Sequence, residues 1–275
     1  MLSRGDLEEA LGERFHLGEN VANGRRSSVY EARDGDRAVV VKVARAASAE
    51  SHESLRLACL RALRLSHPNN LGLLHVKTAR TRETGEPRLV LVSEKARGMP
   101  LSKQIRAIGA FSEARALGIT VQLLRALKEA HSIALIHGSL HPANIFLGTE
   151  GDDTDVVRVL DYGAHHLASE HPRYFTPEHA KGEALDERSD VYGVGLLLYE
   201  MLSGRSPFGS SSGERAINAH KTETPPPLRR PSGRRLDNER LETFVQSCLA
   251  KRPSDRPSSA EEARARLVSA VSAYA

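Results

Sequence analysis

The sequence predicts an α+β protein with two lobes, a small lobe with an antiparallel sheet and a larger helical lobe. The first hundred residues contain β-branched runs around one helical segment, and from Ser112 onward the apolar residues recur with a helical period. This order favours two lobes with a cleft between them. We expect one domain over residues 1–275, with the small lobe at 14–97 and the large lobe at 98–270.

Composition excludes several classes of protein. The net charge of +4 is spread among interleaved acidic and basic residues, so we expect no nucleic-acid partner. No stretch reaches ~18 uninterrupted apolar residues, and the acidic N-terminus lacks the apolar core of a signal peptide. Cys59 and Cys248 form no CxxC pair, which argues against a zinc site or a disulfide framework and favours the reducing cytoplasm.

The small-lobe elements follow from apolar patterning. The β-branched runs at 37–43 and 89–92 predict two strands. Between them a leucine series predicts a helix that ends at the His-Pro-Asn sequence 67–69. The leucines of that series are Leu55, Leu57, Leu60, Leu63 and Leu65.

The large-lobe elements have helical periodicity. A helix is predicted after the Phe-Ser pair that ends at Ser112, and its apolar face contains Leu124 and Leu127. Residues 191–202 are apolar nearly all round, which indicates a buried helix that Gly204 ends. The proline-rich segment 224–231 is either a polyproline ligand for a partner or a stiff loop between helices.

Six motifs follow one another along the second half of the chain. The segments in order are HGSLHPANIFL at 137–147, DYG at 161–163, YFTPE at 174–178, DERSDVYG at 186–193, LLLYEMLSGRSPF at 196–208 and RPSDRP at 252–257. They resemble the motifs of a known family, the bacterial Hanks-type serine/threonine protein kinases, and the chain is similar to these kinases from about Arg14 to about Leu267. Their order and spacing make chance agreement negligible, so the resemblance implies the bilobal protein-kinase-like fold.

The resemblance implies that the residues for metal and phosphate are present. Asn144 and Asp161 match the two positions that hold Mg²⁺ in the family, and oxygen ligands suit this hard cation. Lys42 ends an apolar strand and matches the lysine that contacts the α- and β-phosphates of ATP. ATP and Mg²⁺ are therefore the expected cofactors.

The rest of the implied nucleotide site is partly altered. Gly24 is the one glycine of three left in the phosphate loop that ends at Val29. Arg25 and Arg26 in that loop either reach a phosphate by charge or are solvated at a hairpin tip. The remaining positions are Val40 over the adenine ring, Ser93 as gatekeeper, and Glu94 and Ala96 with backbone groups for adenine.

The implied catalytic loop has lost three charges. Ser139 stands at the base position, normally aspartate, and a hydroxyl does not accept a proton near neutral pH as a carboxylate does. Gly138 replaces the preceding arginine, and His141 replaces the lysine that neutralises the γ-phosphate. Ala58 occupies the position of the helix glutamate that pairs with the lysine of the third strand.

Three functions remain open at this point. The first is a pseudokinase that binds a protein partner and binds ATP and Mg²⁺ weakly. The second is an active serine/threonine kinase in which His141 substitutes as the base, since imidazole titrates near neutrality. The third is a different transferase on the same fold. The activation segment offers three hydroxyls, at Ser169, Tyr174 and Thr176, and none stands out as a switch.

Overall fold

A computed structural model describes residues 2–150, 154–167, 171–209 and 213–272. The chain divides into two structural units. The first unit contains Met1–Ser66, Leu71–Ala96 and Tyr162–Glu170. The second unit contains His67–Asn70, Arg97–Asp161 and His171–Ala275. Each unit is thus assembled from segments that are distant in the sequence.

An antiparallel sheet of five strands is the framework of the first unit, in the order β1-β2-β3-β5-β4. Alternation along the third strand sets its two faces, because Val39 and Val41 are fully buried on one face and Lys42 lies on the other. The predicted strand runs at 37–43 and 89–92 are confirmed. The strands are β1 (Phe15–Asn23), β2 (Ser27–Asp34), β3 (Arg37–Ala44), β4 (Leu73–Arg80) and β5 (Pro87–Glu94).

One helix covers each face of this sheet. Helix α1 (Arg4–Leu11) packs Leu7 and Leu11 into the apolar cluster that contains Val39 and Val41. Helix α2 (Ala49–Ala62) packs on the opposite face of the sheet, which is the face on which Lys42 lies. Its buried residues belong to a second apolar cluster. The sequence did not predict α1, although Ser3 and Asp6 form a reciprocal capping box at its start.

The predicted helix before His67 exists, but its leucines do not form its buried face. Leu57, Leu60 and Leu63 are exposed, and α2 ends at Ala62 instead of continuing to Leu65. The buried residues of this helix recur at the helical spacing i, i+3, i+4 and i+7, and all but the first of them are small, which allows close packing. The buried residues are Leu55, Ala58, Cys59 and Ala62.

The second unit is mainly helical and contains a small antiparallel sheet in the order β6-β7-β8. Its first elements are β6 (Met99–Pro100), α3 (Leu101–Ile108), α4 (Glu113–Ser132), β7 (Ile145–Glu150) and β8 (Thr154–Val159). The helices that follow are α5 (Pro177–Lys181), α6 (Glu187–Ser203), α7 (Glu214–Thr222), α8 (Glu239–Cys248) and α9 (Ala260–Ser272). Ser112 caps the N-terminus of α4, as predicted, and Asp186 caps the N-terminus of α6.

Helix α6 is the centre of the second unit. Every residue from Ser189 to Ser203 is buried, so the prediction of a buried helix at 191–202 is confirmed. Gly204 ends α6 in a left-handed conformation with φ of 72°, as predicted. Within the helix, a Cβ atom on Gly195 would lie 2.8 Å from Cys248 Cβ, so α6 and α8 approach closely only because that position is glycine.

The architecture confirms the predicted fold class, since an antiparallel sheet forms the first unit and helices form most of the second. The proline-rich segment 224–231 connects α7 to α8, with Pro225 and Leu228 buried. Pro226 and Pro227 are exposed, so the segment serves as a connection whose middle faces solvent.

Candidate functional site

The loop that begins at His137 is held by a buried carboxylate on α6. Asp190 accepts the N–H of His137 through Oδ2 and the N–H of Gly138 through Oδ1, both at 2.8 Å. His131 Nε2 also lies 2.8 Å from Oδ2. Burial acts to raise the pKa of Asp190, but the hydrogen bonds from His131 and Gly138 outweigh it, and the pKa lies below its ordinary value. A charged carboxylate therefore fixes the start of the loop at neutral pH.

His137 itself has a structural position. Its Nε2 donates to the carbonyl oxygen of Leu160 at 2.8 Å, because a carbonyl only accepts. Its Nδ1 then accepts the N–H of Ser139 at 3.3 Å. The side chain is fully buried, and burial lowers its pKa, so the imidazole is neutral at pH 7.

Ser139, the predicted base position, has a backbone fixed on two sides. Its N–H donates to His137, and its carbonyl accepts the side-chain amide of Asn144 at 3.3 Å. The hydroxyl is on a half-buried residue. Gly138 before it has φ of 69°, a left-handed conformation that glycine adopts without a steric penalty. The loop geometry is thus well defined, while the group at the base position is a hydroxyl.

Asn144 and Asp161 lie on adjacent backbone segments of the second unit. The N–H of Leu160, which precedes Asp161, donates to the carbonyl of Asn144 at 2.9 Å. Because Asn144 Nδ2 faces the carbonyl of Ser139, its amide oxygen remains for a cation. Asp161 has φ of 63°, and a non-glycine residue in this region is strained by about 1–3 kcal/mol, which is typical of functional sites. One amide and one carboxylate oxygen form a donor set that fits Mg²⁺.

His141 belongs to a cluster of rings beside the loop. It is buried, and its ring centroid lies 4.1 Å from that of His171 and 6.1 Å from that of Tyr174. Tyr174 O–H donates to Glu200 at 2.8 Å, and burial of both groups raises the pKa of each. The structure thus brings His141 together with the segment that ends at Tyr174.

The nucleotide residues of the first unit lie in register on the sheet. Lys42 on β3 is paired with Val29 on β2 and with Leu91 on β5. Val40 is paired with Ser93 on β5, so both predicted adenine-side residues lie on the Lys42 face. The predicted roles of these residues remain predictions.

The alternation of side chains between the two faces of the sheet also bears on the two roles considered for Arg25 and Arg26, contact with a phosphate or solvation at the hairpin tip. Gly24 N–H donates to the carbonyl of Ser27 at 2.8 Å and closes the hairpin turn. Arg26 lines a cleft with Tyr30 and Val43, whose side chains lie on the α1 face of the sheet. Since Lys42 lies on the opposite face, this position favours a role for Arg26 other than contact with the nucleotide phosphates.

The buried face of α2 lacks the glutamate that pairs with the strand lysine in the family. Ala58 is buried, and a Cβ atom on Gly163 would lie 2.6 Å from Ala58 Cβ, so both positions need small residues. Glu53, which precedes Ala58 on the same helix, is exposed and accepts two hydrogen bonds from Arg56 at 2.8 and 2.7 Å. The Glu53 carboxylate is therefore already hydrogen-bonded at the protein surface.

Glu94 and Ala96, the residues predicted to offer backbone groups to adenine, lie at the last residue of β5 and just after it. Glu94 N–H donates to the carbonyl of Gly72 at 2.9 Å, and the Glu94 carboxylate forms an ion pair with Arg37. The carbonyl of Glu94 is therefore the group that this residue has left to present to adenine. Ala96 is half-buried two residues further on.

The family resemblance also implies a buried ion pair between Glu178 in the segment 174–178 and Arg256 in the segment 252–257, and this pair is present in the second unit. Arg256 donates to Glu178 in bidentate geometry at 2.7 and 3.1 Å, and both side chains are buried. Ser189 Oγ also donates to Glu178 at 3.0 Å. Burial acts to raise the pKa of Glu178, but the hydrogen bond from Arg256 outweighs it and the pKa is lowered.

The hydroxyls of the activation segment are engaged where the structure describes them. Thr176 accepts the N–H of His179 at 3.1 Å and so caps α5. Tyr174 is bonded to Glu200 as above. Ser169, the third predicted hydroxyl, lies outside the described residues.

Three polar residues of this region were not predicted from the sequence: His131, Glu200 and His220. His220 Nε2 donates to the carbonyl of Arg173 at 3.0 Å, and its Nδ1 accepts the O–H of Tyr192 at 3.1 Å. Burial lowers the pKa of His220 to about 4, which keeps it neutral. A signal existed for His131, which continues the apolar face of α4 one turn beyond Leu127.

Two other kinds of site are absent from the described ranges. In residues 2–150, 154–167, 171–209 and 213–272, no helix combines the length and apolarity needed to cross a membrane. Over the same part of the chain, no group of three or more histidine, cysteine, aspartate or glutamate side chains is placed to bind a metal ion. The predicted pair of Asn144 and Asp161 would be a different kind of site, since phosphate oxygens and water would complete the Mg²⁺ shell.

Comparison with known proteins identifies the family. The protein kinase domain family matches residues 15–267. The chain is 32% identical to serine/threonine-protein kinase pkn3 of Myxococcus xanthus, over 95% of this chain and 51% of that protein. It is also 32% identical to serine/threonine-protein kinase PknB of Mycobacterium tuberculosis, over 94% of this chain and 43% of that protein. The chain thus spans about half the length of the curated relatives it matches.

The fold agrees with a solved kinase domain. The crystal structure of the Mycobacterium tuberculosis PknI kinase domain matches with a TM-score of 0.75 and 24% sequence identity, over 94% of this chain and 96% of that one. At this identity the match shows the fold alone. Together with the family match and the bacterial relatives, it leads to one conclusion: the chain belongs to the protein kinase domain family, among the bacterial Hanks-type serine/threonine kinases.

Proposed function

We propose that this protein is a pseudokinase that binds ATP and Mg²⁺ weakly and acts as a regulatory or scaffolding module for a protein partner. One observation carries the proposal: Ser139 occupies the base position in a loop whose backbone is otherwise fixed by Asp190 and His137. A serine hydroxyl does not take the proton of a substrate hydroxyl near pH 7. We further propose that 14–97 and 98–270 are the two lobes of a single domain over 1–275.

The proposed nucleotide residues are those that match the motifs of the family. They comprise a lysine for the phosphates, apolar and backbone groups for the base, and two oxygen ligands for the metal. When bound, Mg²⁺ would neutralise negative charge on the phosphate oxygens. The residues are Lys42, Gly24, Val29, Val40, Glu94 and Ala96, with Asn144 and Asp161 for the metal.

The expected affinity for ATP is low. The phosphate loop retains Gly24 as one of three glycines, and the helix position of the pairing glutamate is the buried Ala58. We expect a dissociation constant on the order of tens of micromolar or weaker, about −6 kcal/mol. We also propose a cytoplasmic location, because Cys59 and Cys248 are both free thiols buried in their units.

An active serine/threonine kinase is the second candidate. Both curated relatives bear the name serine/threonine-protein kinase. His141 lies two residues from Ser139 and contacts the ring of His171, so an imidazole stands near the loop position that lost its carboxylate. In this candidate His141 accepts the substrate proton, and the phosphoryl group of ATP passes to the serine or threonine oxygen.

A phosphoryl-transfer assay separates the candidates. We would incubate wild type, Ser139→Asp and Ser139→Asp/His141→Lys with labelled ATP, Mg²⁺ and a generic basic protein substrate. The pseudokinase proposal expects almost no transfer by wild type and measurable rescue by the variants, since general-base catalysis is typically worth ~10²–10⁴-fold. His16→Lys, at an exposed position of β1, controls for the added lysine.

The active-kinase candidate gives the opposite pattern. Wild type would already transfer phosphate, with a rate that rises with pH as the His141 imidazole loses its proton. His141→Lys alone would then abolish transfer instead of aiding it. Mass spectrometry of the same mixtures would reveal a nucleotide adduct if the chain is a different transferase. Wild-type inactivity with no rescue would refute the claim that Ser139 is the decisive change.

A further inference from the structure

Three arginines start from neighbouring positions on one face of the first unit's sheet. Arg26 precedes β2, Arg45 follows β3 and Arg88 lies in β5. Arg45 N–H donates to the carbonyl of Arg26 at 2.8 Å, so these two residues continue the β2–β3 ladder. The β3–β5 register, which pairs Ala44 with Leu89, brings Arg45 opposite Arg88. Because adjacent strands are ~4.8 Å apart, the three side chains form a compact arginine row.

This arginine row is poorly compensated by the protein itself. Like charges directly opposite each other on neighbouring strands are destabilising. Arg88 is buried and donates to Glu86 at 2.6 Å and to the carbonyl of Pro87 at 2.9 Å. Among the described residues, the side chains of Arg26 and Arg45 have no hydrogen bond and no ion pair, and Arg45 acts on Glu86 only at longer range. Three arginines and one glutamate leave a net charge of +2.

The arginine row borders a cleft of about 310 Å³. The opposite side of the cleft is the connection from β3 to α2, where small side chains leave space at 46–49. Helix α2 starts there, with Ser48 Oγ accepting the N–H of Ser51, and the first N–H groups of a helix have no partner within it. His52 also lines the cleft, and its Nδ1 is buried without a hydrogen-bond partner.

We propose that this cleft binds the phosphate of a phosphorylated serine or threonine in a partner peptide. Such a group carries a charge of about −1.5 to −2 at pH 7, which is opposite in sign and similar in magnitude to the net charge of the three arginines together with Glu86. Its oxygens fit guanidinium forks, and the N-terminus of an α-helix favours an anion. A nucleic acid would need a longer basic surface, and Glu50 and Glu53 interrupt the surface beside the cleft at the start of α2.

This inference does not depend on whether the chain transfers phosphate. It concerns only the first unit, and none of the residues that line the cleft is among those proposed to bind the nucleotide, so it also predicts that ATP and the phosphopeptide do not compete for the same residues. A bound phosphate would connect β2, β3 and β5 to the first turn of α2, and the melting temperature should rise with peptide concentration.

Calorimetry on the full chain tests the proposal. The probe is a blocked alanine–glycine peptide with one phosphoserine, titrated at ~0.15 M salt, where surface charges are well screened. We expect binding that Arg45→Gln weakens about tenfold and Arg26→Gln/Arg45→Gln weakens about a hundredfold, since each loses charge-assisted hydrogen bonds. Arg64→Gln is the matched control, because Arg64 is exposed and its side chain has no partner in the described chain.

Four results would overturn the proposal. The first is equal affinity of wild type and the double variant, with circular dichroism confirming that both are folded. The second is equal binding of the unphosphorylated peptide, or no binding of the phosphopeptide. The third is inorganic phosphate binding as tightly as the peptide, which would identify a site for a free anion. The fourth is displacement of the peptide by a lower concentration of a single-stranded oligonucleotide.

Discussion

Arg256 uses every N–H of its guanidinium group inside the second unit. Two N–H groups donate to the Glu178 carboxylate at 2.7 and 3.1 Å. The other three donate to the carbonyls of Ala250, Arg188 and Lys251 at 2.8, 3.0 and 3.1 Å. Replacement of Arg256 by alanine therefore leaves one buried carboxylate and three backbone carbonyls without this partner.

The cost of Arg256→Ala follows from that count. Removal of one partner of a buried ion pair typically costs ~3–5 kcal/mol because the other charge remains buried. Ser189 Oγ remains as a donor to Glu178 and offsets only part of this. For a chain of this size we expect the melting temperature to fall by about 10 °C. Arg252→Ala is the matched control, since the Arg252 side chain is largely exposed and its ion pair with Asp255 is long, at 4.0 Å.

The loss should also depend on pH. In wild type the pKa of Glu178 is lowered, so its stabilising contribution is complete above the unfolded pKa of ~4.3 and is lost as pH falls through the folded value. In Arg256→Ala, burial is no longer opposed by the guanidinium and should raise the pKa of Glu178 above the unfolded value. The stability difference between the two proteins should therefore shrink as pH falls from 7 to 4.

Urea denaturation of both proteins at pH 7 and pH 4.5 measures this difference. A melting temperature unchanged by Arg256→Ala would refute the buried pair. A stability difference that is the same at both pH values would refute the assignment of the loss to an uncompensated Glu178 carboxylate, and would leave the lost packing and carbonyl hydrogen bonds as its cause.

The remaining predictions concern the metal site and three glycines. Asp161→Ala should abolish the dependence of ATP affinity on Mg²⁺ in calorimetry, and equal wild-type affinity with and without Mg²⁺ would show that the metal site is not functional. Gly98→Ala should lower stability by at least ~2 kcal/mol, because the new Cβ would lie 2.0 Å from the carbonyl oxygen of Leu147. Gly109→Ala, with φ of 72° and nothing within 4 Å of the new Cβ, should cost only about 1 kcal/mol, and equal melting temperatures for these two variants would contradict the clash. Gly138→Arg should cost ~1–2 kcal/mol because φ is 69°, and an unchanged denaturation midpoint would show that the loop relaxes.

Helical periodicity was most informative where a helix is buried on all sides. The segment 191–202 was predicted as a central helix because its residues are apolar nearly all round, and α6 is buried throughout that range. Periodicity was least informative for α2. Its leucines at 57, 60 and 63 are exposed, since the close approach to the sheet selects Ala58 and Cys59 for the buried face.

The sequence by itself determined which chemical groups are available. It established Ser139, Gly138 and His141 in place of charged residues, and Asn144 and Asp161 in the positions of metal ligands, because motif order and spacing fix these identities without coordinates. It also predicted the buried pair of Glu178 and Arg256, which the family resemblance implied.

Only the tertiary structure determined which groups that are distant in the sequence share a hydrogen-bond partner or lie on the same face of the sheet. Asp190 also takes His131 on α4 as a partner because a buried carboxylate must be hydrogen-bonded, and no local pattern states that this donor comes from α4. Arg26 and Arg45 are nearly twenty residues apart in the sequence and become neighbours only through strand register. Strand register depends on the pairing of whole strands and on the packing of both faces, so the arginine row could not be read from the order of the residues.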